Sequence, residues 1–263
     1  MDLPDHFSVS QLRTYLGCPL AYRLRYVDRI ETGTRASALV FGKAVHVAAE
    51  LLHRHLMDGG AQEDKVYHDA LRESLAAQFK EFDVRVKEGE SLQTLTDEGA
   101  RLFDLYLQRR TCDGDRIVAA EKRIECDLVN IRTHEALSVP FVGYLDLVER
   151  DSDGRSVVAD VKTTRKSHNQ STVDADVQLS AYALLLLLSE GAEPARLRID
   201  ALVRNKTPKL RTIETRRTEE DLVRFWSLAR AVWCAIQAGN SYPNPSWLCP
   251  GCEYAQHWGQ WGQ

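Results

Sequence analysis

The sequence predicts an α/β protein with a mixed central sheet and helices on both faces of that sheet. Two observations support this prediction. Apolar residues recur with helical periodicity through most of residues 36–110, and two pairs of strand patterns in the second half of the chain each surround a short polar turn. A length of 263 residues with 44% hydrophobic content suffices for one large domain. We therefore expect a single domain over residues 1–263, with a helical subdomain at about 56–112.

Charge and composition narrow the class of protein. The net charge is −4, so any contact with nucleic acid must come from local basic patches and not from the charge of the whole chain. The longest apolar run, at 181–188, is too short to span a membrane, and the first residues lack the pattern of a signal peptide. Six cysteines in a chain of this length do not indicate a disulfide scaffold. These features predict a cytoplasmic protein that does not contact a membrane.

Two short helices are predicted near the start of the chain. Ser8 is a good N-cap, and Gln11 occupies the third helical position after it. The Gly-Cys-Pro sequence at 17–19 breaks this helix, and a second one is expected at 20–26. The arginines of this region, Arg13 among them, are expected to be solvated or salt-bridged rather than bound to nucleic acid.

Three longer helices follow in the sequence. Residues 34–55 place apolar side chains at helical spacing, and His46 within them would ordinarily be a histidine at the edge of a core. Residues 63–86 and 91–109 predict two further amphipathic helices. Neither of these two helices carries a chemical motif.

The next three elements read as strands. Residues 116–129 predict the first strand, and Glu121 within it is expected to be a solvated carboxylate, with an approach to the functional site as the alternative. Residues 141–148 predict the second strand, and Asp and Gly residues at 151–154 form a turn into the third strand at 156–162.

Two aspartates, Asp146 and Asp160, lie on this predicted strand pair. Alternation places Lys162 on the same face as Asp160 and Val161 on the opposite face. Like charges at close range raise each other's proton affinity unless a cation lies between them. A divalent ion such as Mg²⁺ or Mn²⁺ suits two carboxylates and a backbone carbonyl. Each of these residues taken alone would more often be ordinary surface charge.

A helix after the strands carries two further polar residues. It is expected to begin near Asp174, after a polar linker at 163–172. Gln178 and Tyr182 share one face of this helix because they lie four residues apart.

Four short patterns therefore follow one another along the chain: Gly42-x-x-x-His46, Gly143-x-x-Asp146, Asp160-x-Lys162 and Gln178-x-x-x-Tyr182. Together they resemble the RecB-type branch of the PD-(D/E)XK nucleases, and the resemblance extends from about residue 8 to residue 252. It implies a restriction-endonuclease-like core with a helical insertion. It also implies a Mg²⁺- or Mn²⁺-dependent deoxyribonuclease that we expect to be an exonuclease in DNA recombination, repair or replication. The metal ligands that it implies are His46, Asp146, Asp160 and the carbonyl of Val161. The other catalytic residues that it implies are Lys162, to orient the attacking water, and Gln178 and Tyr182, to position the substrate or Lys162.

The two ends of the chain carry a second resemblance to the same family. The residues around Cys18 are similar to the opening of its iron–sulfur members, and Cys249 and Cys252 form a C-x-x-C near the end. The last cysteine of the family pattern would fall at 258, where this chain has Trp258, and the neighbouring His257 could replace it. A [4Fe-4S] cluster, a zinc ion and a degenerate site are all open alternatives.

A second hairpin is predicted from residues 198–203 and 209–215. Its basic residues would supply sequence-independent contacts to phosphates, although a solvated hairpin is nearly as good an interpretation. These residues are Arg204, Lys206, Lys209 and Arg211.

The expected partner is DNA that is single-stranded or has free ends, together with a helicase or recombination protein. An alternative function is a non-catalytic DNA-binding or assembly subunit that retains the nuclease fold. The intact set of two aspartates and a lysine argues against that alternative.

Overall fold

The computed structural model describes residues 3–60, 63–110, 116–191, 194, 196–246 and 249–260, except for the side chains of 258–260. The strands are β1 (Phe7–Ser8), β2 (Thr34–Ala36), β3 (Asp83–Arg85), β4 (Arg116–Val129), β5 (Ala136–Arg150), β6 (Ser156–Thr164), β7 (Arg196–Val203) and β8 (Lys209–Thr215). The α-helices are α1 (Val9–Gly17), α2 (Pro19–Tyr22), α3 (Ser37–Met57), α4 (Asp64–Glu81), α5 (Leu92–Arg110), α6 (Gln170–Asp174), α7 (Val177–Glu190) and α8 (Glu219–Gln237). A π-helical turn (Arg23–Val27) and two 3₁₀ helices (Cys249–Gly251 and Ala255–Gln260) complete the regular elements of these residues.

Six strands form the central sheet, in the order β1-β5-β6-β7-β8 with β4 also paired to β5. The pairs β1–β5 and β6–β7 are parallel, and the pairs β4–β5, β5–β6 and β7–β8 are antiparallel. The sheet is therefore mixed, as the sequence predicts. Because β4 covers one edge of β5 throughout, β1 and β6 must share the other edge, where they pair with different parts of β5.

Each face of the sheet is covered by its own helices. Buried side chains of α1, α7 and α8 pack on one face, and those of α3, α4 and α5 pack on the other face against Val161 and Leu202. The fold is thus α/β with helices on both sides. The predicted helical subdomain at about 56–112 corresponds to α4 and α5, whose core is continuous with α3 and the sheet.

Hydrogen bonds confirm two local predictions, the helix cap at Ser8 and the turn at 151–154. The Ser8 hydroxyl accepts the backbone N–H of Gln11 at 3.2 Å and caps α1. The Thr218 side chain and Asp221 form a reciprocal capping box at the start of α8. The turn after β5 is closed by Asp151, whose carbonyl accepts the N–H of Gly154 at 2.9 Å.

Two element boundaries differ from the predictions. Residues 34–36, predicted as helical, instead form β2, which pairs in parallel with β3. This pairing joins segments far apart in sequence, so no local pattern indicates it. The helix predicted to begin near Asp174 is two helices, because Asp176 accepts the N–H of Leu179 at 3.0 Å and caps α7 separately.

Candidate metal centre and active-site cleft

The site begins where β5 and β6 separate. Their antiparallel pairing ends at Leu147 on β5, which follows Asp146, and at Ala159 on β6, which precedes Asp160. Beyond this point, Oδ2 of Asp146 accepts the backbone N–H of Val161 at 2.8 Å. The aspartate side chain thus satisfies a donor that the ladder leaves unpaired, and both carboxylates lie at the opening between the strands.

Burial makes the two carboxylates costly to ionise. The exposed fraction is 8% for Asp146 and 1% for Asp160. Burial, and then the neighbouring charge of Asp160, raises the pKa of Asp146 to about 7. Burial also raises the pKa of Asp160, although Lys162 acts in the opposite direction. A cation between these groups would lower both pKa values and stabilise the charged pair.

Lys162 and Gln178 hold Asp160 from the other side. Nζ of Lys162 lies 2.9 Å from Asp160 and donates to Oε1 of Gln178 at 2.9 Å. Nε2 of Gln178 donates to Oδ1 of Asp160 at 2.8 Å and also to the hydroxyl of Tyr182. The structure therefore joins the four residues of the third and fourth sequence motifs in one hydrogen-bonded network.

Gly143 allows α7 to lie close enough to the sheet for this network. A Cβ atom at Gly143 would stand 2.4 Å from Cδ1 of Leu185 and under 4 Å from the ring of Tyr182. Because real Cβ atoms do not approach other atoms this closely, a side chain at this position would force the buried Leu185 side chain of α7 to move. The glycine of the second motif thus has a packing role.

His46 reaches the carboxylates from α3, on the opposite side of the sheet from α7. Its Nδ1 atom lies 3.5 Å from Oδ2 of Asp146 and 3.9 Å from Oε1 of Glu121. Burial lowers the pKa of His46, but the carboxylates of Glu121 and Asp146 outweigh burial and raise it above its ordinary value. Imidazole is a common metal ligand, so this position fits the role that the family resemblance implies.

Glu121 also lies close to Asp146 and His46. It lies on β4 directly opposite Asp146, between the pairs Ala120↔Leu147 and Lys122↔Leu145. Its φ of 48° is unusual for a residue other than glycine. Among the described residues, one group brings three histidine, cysteine or acidic ligand atoms within 4.8 Å of one another, and it consists of His46, Glu121 and Asp146. Glu121 thus approaches Asp146 and His46, as the alternative interpretation of this residue had it, while its side chain stays 29% exposed. No periodicity in the sequence indicates its backbone conformation.

This donor set suits a divalent cation. Two carboxylates and an imidazole supply the oxygen and nitrogen ligands that Mg²⁺ and Mn²⁺ accept. The burial of Asp146 is an independent reason to expect a cation there, because a buried carboxylate is costly to ionise without one. The backbone N–H of Val161 is bound to Asp146. The family resemblance assigns a different group of this residue, its carbonyl, to the metal.

The profile of the PD-(D/E)XK nuclease superfamily matches residues 6–257 of this sequence. The chain belongs to the PD-(D/E)XK nuclease superfamily. The fold agrees with that of a candidate exonuclease from Eubacterium rectale, with a TM-score of 0.58 and 14% identity over 95% of this chain and 88% of the other. A second solved structure, SSO0001, aligns with a TM-score of 0.38 and 13% identity over 94% of this chain and 93% of the other. No curated protein sequence matches this chain.

Three cysteines of this PD-(D/E)XK protein line one cavity of about 310 Å³, between α1 and the C-terminal segment. They are Cys18, Cys249 and Cys252, so the structure brings both ends of the chain together as expected. The backbone of Asn244 contacts two of them, because its N–H donates to Cys18 Sγ at 3.5 Å and its carbonyl lies 3.9 Å from Cys249 Sγ. Burial, and to a smaller extent the thiols of Cys18 and Cys249, raises the pKa of Cys252.

His257 does not join these cysteines. It is not among the described residues that line the cavity, and its ring packs on that of Tyr254 with 6.4 Å between ring centroids. The prediction of His257 as the fourth ligand is therefore not supported by its position, since the short 3₁₀ helix Ala255–Gln260 places it on Tyr254. Trp247 and the side chain of Trp258 lie outside the described residues.

The basic hairpin β7–β8 requires one correction. Arg204 is 5% exposed, its guanidinium lies 2.5 Å from Glu98, and it stacks on the ring of Phe41 at 3.8 Å. The prediction that Arg204 contacts DNA is thus wrong, because acidic residues from α5 and the preceding turn neutralise it inside the protein. Lys206, Lys209 and Arg211 are exposed.

A groove of about 890 Å³ lies between this hairpin and the end of α5, and its lining includes Lys209, Arg211 and Arg109. Arg211 donates to the hydroxyl of Ser167 at 2.9 Å, just beyond β6. Within the described residues, no helix is long and apolar enough to cross a membrane.

Proposed function

We propose that this chain is a Mg²⁺- or Mn²⁺-dependent deoxyribonuclease of the RecB-type branch, which acts as an exonuclease in DNA recombination, repair or replication. One observation carries the proposal. Asp146 and Asp160 are both buried where β5 and β6 separate, and Lys162 is hydrogen-bonded to Asp160. This arrangement is costly for a protein that does not bind a cation, and it is what phosphodiester hydrolysis requires.

The metal ligands in this proposal are Asp146, Asp160, His46 and the Val161 carbonyl, with Glu121 as a further carboxylate at the same opening. When bound, the ion would lower the pKa of water and neutralise negative charge on the phosphate. His46 would bind the ion through the lone pair of one ring nitrogen. That nitrogen must therefore be unprotonated when the metal is bound.

Lys162 has a different role in this proposal. Its ammonium group lies between Asp160 and Gln178, where it can donate to the attacking water and to the oxygens of the phosphate. A fixed positive charge at this position stabilises the charge that develops in the transition state. Gln178 and Tyr182 keep Lys162 and Asp160 in place through their mutual hydrogen bonds.

The nucleic acid backbone would contact the protein through local basic patches, because the net charge of the chain is −4. Lys206, Lys209 and Arg211 on the β7–β8 hairpin are the exposed cations proposed for this contact. The proposed substrate is single-stranded DNA or DNA with free ends, which a helicase or recombination protein would supply.

We also propose that the cysteine cavity holds a metal centre, either a [4Fe-4S] cluster or a zinc ion, with Cys18, Cys249 and Cys252 among its ligands. Both kinds of site take four ligands, so one further ligand would have to complete the three thiolates. Iron, sulfide and zinc analysis of anaerobically purified protein tests this, with Cys249→Ser as the variant that should lose the metal. Protein that contains neither iron nor zinc would show that the site is degenerate.

The function is tested with linear single-stranded, linear double-stranded and circular single-stranded DNA, each with Mn²⁺, with Mg²⁺ and with chelator. The expected result is metal-dependent release of short products from linear substrates only. Cleavage of the circular strand would show an endonuclease. Binding of DNA without hydrolysis in either metal would instead favour the non-catalytic DNA-binding or assembly subunit.

A further inference from the structure

A cleft of about 430 Å³ opens beside the catalytic network. Lys162, Gln178 and Tyr182 form one of its walls. The start of α1 forms another wall, to which Arg13 contributes its side chain. Arg13 does not belong to any of the four sequence motifs, and the sequence predicts it to be solvated or salt-bridged.

Arg13 and Lys162 converge on a single neutral oxygen. Oε1 of Gln178 accepts Nη1 of Arg13 at 2.5 Å and Nζ of Lys162 at 2.9 Å. Asp160 balances the charge of Lys162. Within the described part of the chain, Arg13 has no ion pair with a carboxylate.

Two cations held this close repel each other, and an amide oxygen compensates them less than an anion would. The cleft beside them is open to solvent-borne ligands, and its wall includes Lys162, which is hydrogen-bonded to Asp160. A phosphate group is an anion of the right size and charge, and the arginine fork matches its oxygens in a bidentate geometry.

We propose that Arg13 forms a phosphate subsite beside Lys162: Lys162 acts on the phosphate being hydrolysed, and Arg13 binds the adjacent phosphodiester. The ligand class is a polynucleotide strand that runs through the cleft. This inference rests on the proposed function, which it extends by naming a contact on the substrate away from the reacting phosphate.

The backbone that carries Arg13 is held firmly. Leu12 and Tyr15 of α1 are buried in the core, and the Tyr15 hydroxyl donates to the carbonyl of Asn240 at 2.8 Å. Cys18 follows the end of α1, and Arg13 also lines the cysteine cavity. The position of Arg13 is therefore set before the substrate arrives, which lowers the entropic cost of the contact.

A merely structural role is the alternative, in which Arg13 only holds Gln178 in place. Neutral methylphosphonate linkages in the substrate distinguish the two roles, since they remove the charge of one phosphate at a time. Single-stranded oligonucleotides that carry one such linkage at successive positions are compared with wild type, Arg13→Ala, Arg13→Lys and Arg72→Ala. Arg72 is a matched control because it is exposed and pairs with Asp69 on the same helix, α4.

The Arg13→Ala variant is expected to raise KM by about 10- to 100-fold with a smaller change in kcat, the range for losing a charged hydrogen bond. A methylphosphonate at one position of the substrate should weaken substrate binding by wild type by a similar factor. The same linkage should not change substrate binding by Arg13→Ala. The plot of log binding constant against log salt concentration has a negative slope. For Arg13→Ala this slope should be less steep than for wild type by about 0.7, the value for one phosphate on a single strand. Arg13→Lys should recover part of the binding, and Arg72→Ala should match wild type.

The inference is overturned if each methylphosphonate weakens wild type and Arg13→Ala equally, or if Arg13→Ala lowers kcat at unchanged KM. The thermal melting temperature of each variant checks that the fold is kept, and Arg13→Lys carries the test if Arg13→Ala unfolds. Wild-type protein that neither binds nor cleaves DNA would instead refute the proposed function, and the inference with it.

Discussion

Asp146 accepts the backbone N–H of Val161 at 2.8 Å, at the point where β5 stops pairing with β6. This hydrogen bond fixes one carboxylate at the opening of the sheet while its other oxygen remains available to a ligand. The same opening receives His46 from α3 and Glu121 from β4. The proposed metal centre is thus built at a break in a β-ladder, and the predictions below follow from the charge gathered there.

The first prediction concerns the charge of Asp146 in metal-free protein. Its pKa is raised to about 7 in the folded state, above the ordinary value of 3.8, so the folded state binds more protons between these pH values. Stability without metal should therefore fall as pH rises from about 4 to about 7. Asp146→Asn should remove much of this loss. At pH 8 in chelator it should melt at a higher temperature than wild type, with an unfolding free energy greater by up to a few kcal/mol.

Melting curves of both proteins across this pH range in chelator test the prediction. At pH 4, where the wild-type carboxyl is already protonated, the two melting temperatures should converge. A wild type that is more stable than Asp146→Asn at pH 8 without metal would contradict the assignment of unfavourable buried charge.

Lys162 is predicted to contribute to catalysis but not to metal binding. Lys162→Ala removes a donor to the reaction centre but no metal ligand, so Mn²⁺ affinity should stay within a few-fold of wild type. Turnover should fall by at least about 10²-fold, the range for losing a preorganised electrostatic stabiliser. Calorimetric titration with Mn²⁺ and single-turnover cleavage measure the two effects, and lost Mn²⁺ binding would show that the roles are not separate.

Glu121 is predicted to contribute to metal affinity at the expense of stability. Its φ of 48° costs on the order of 1–3 kcal/mol in a residue other than glycine. In Glu121→Gly, relief of this backbone strain should offset the stability lost with the side-chain contacts. Glu121→Gln should keep the strain. Both variants should bind Mn²⁺ about tenfold more weakly by calorimetry, since each loses the carboxylate. Glu121→Gln with unchanged Mn²⁺ affinity would remove Glu121 from the metal site.

Gly143 is predicted to be required for packing. In Gly143→Ala the new methyl group would stand 2.4 Å from Leu185, so overpacking should cost about 1–3 kcal/mol of unfolding free energy. Gly17→Ala is the matched control, since an added Cβ there meets nothing within 4 Å. Denaturant unfolding of Gly143→Ala, Leu185→Ala and the double variant measures the coupling. Additive effects of the two substitutions would mean that these side chains do not compete for the same space.

The sequence predicted those features of the site that depend on local pattern. Gln178 and Tyr182 share a helical face and Asp160 and Lys162 share a strand face, so periodicity alone brings each pair together. Long-range relationships were not accessible in this way. Glu121 enters the site through a backbone conformation that no residue pattern indicates.

The error for Arg204 has a similar physical cause. Its partner Glu98 lies 106 residues earlier in the chain, so the basic hairpin looked unneutralised when only its own sequence was considered. Pairing of β2 with β3 escaped prediction for the same reason, because strand propensity is set by a partner distant in sequence. Family motifs supplied the order of the site residues, and tertiary structure supplied their partners.

The most direct test of the central claim is parallel measurement of DNA hydrolysis and DNA binding by wild type and Asp160→Ala, with Mn²⁺. Wild type should hydrolyse end-labelled single-stranded DNA only when Mn²⁺ or Mg²⁺ is present. Asp160→Ala should keep its fold and DNA affinity and lose hydrolysis, because half of the buried carboxylate pair is gone. Hydrolysis by purified Asp160→Ala at the wild-type rate would contradict the assignment of the metal centre to the opening between β5 and β6.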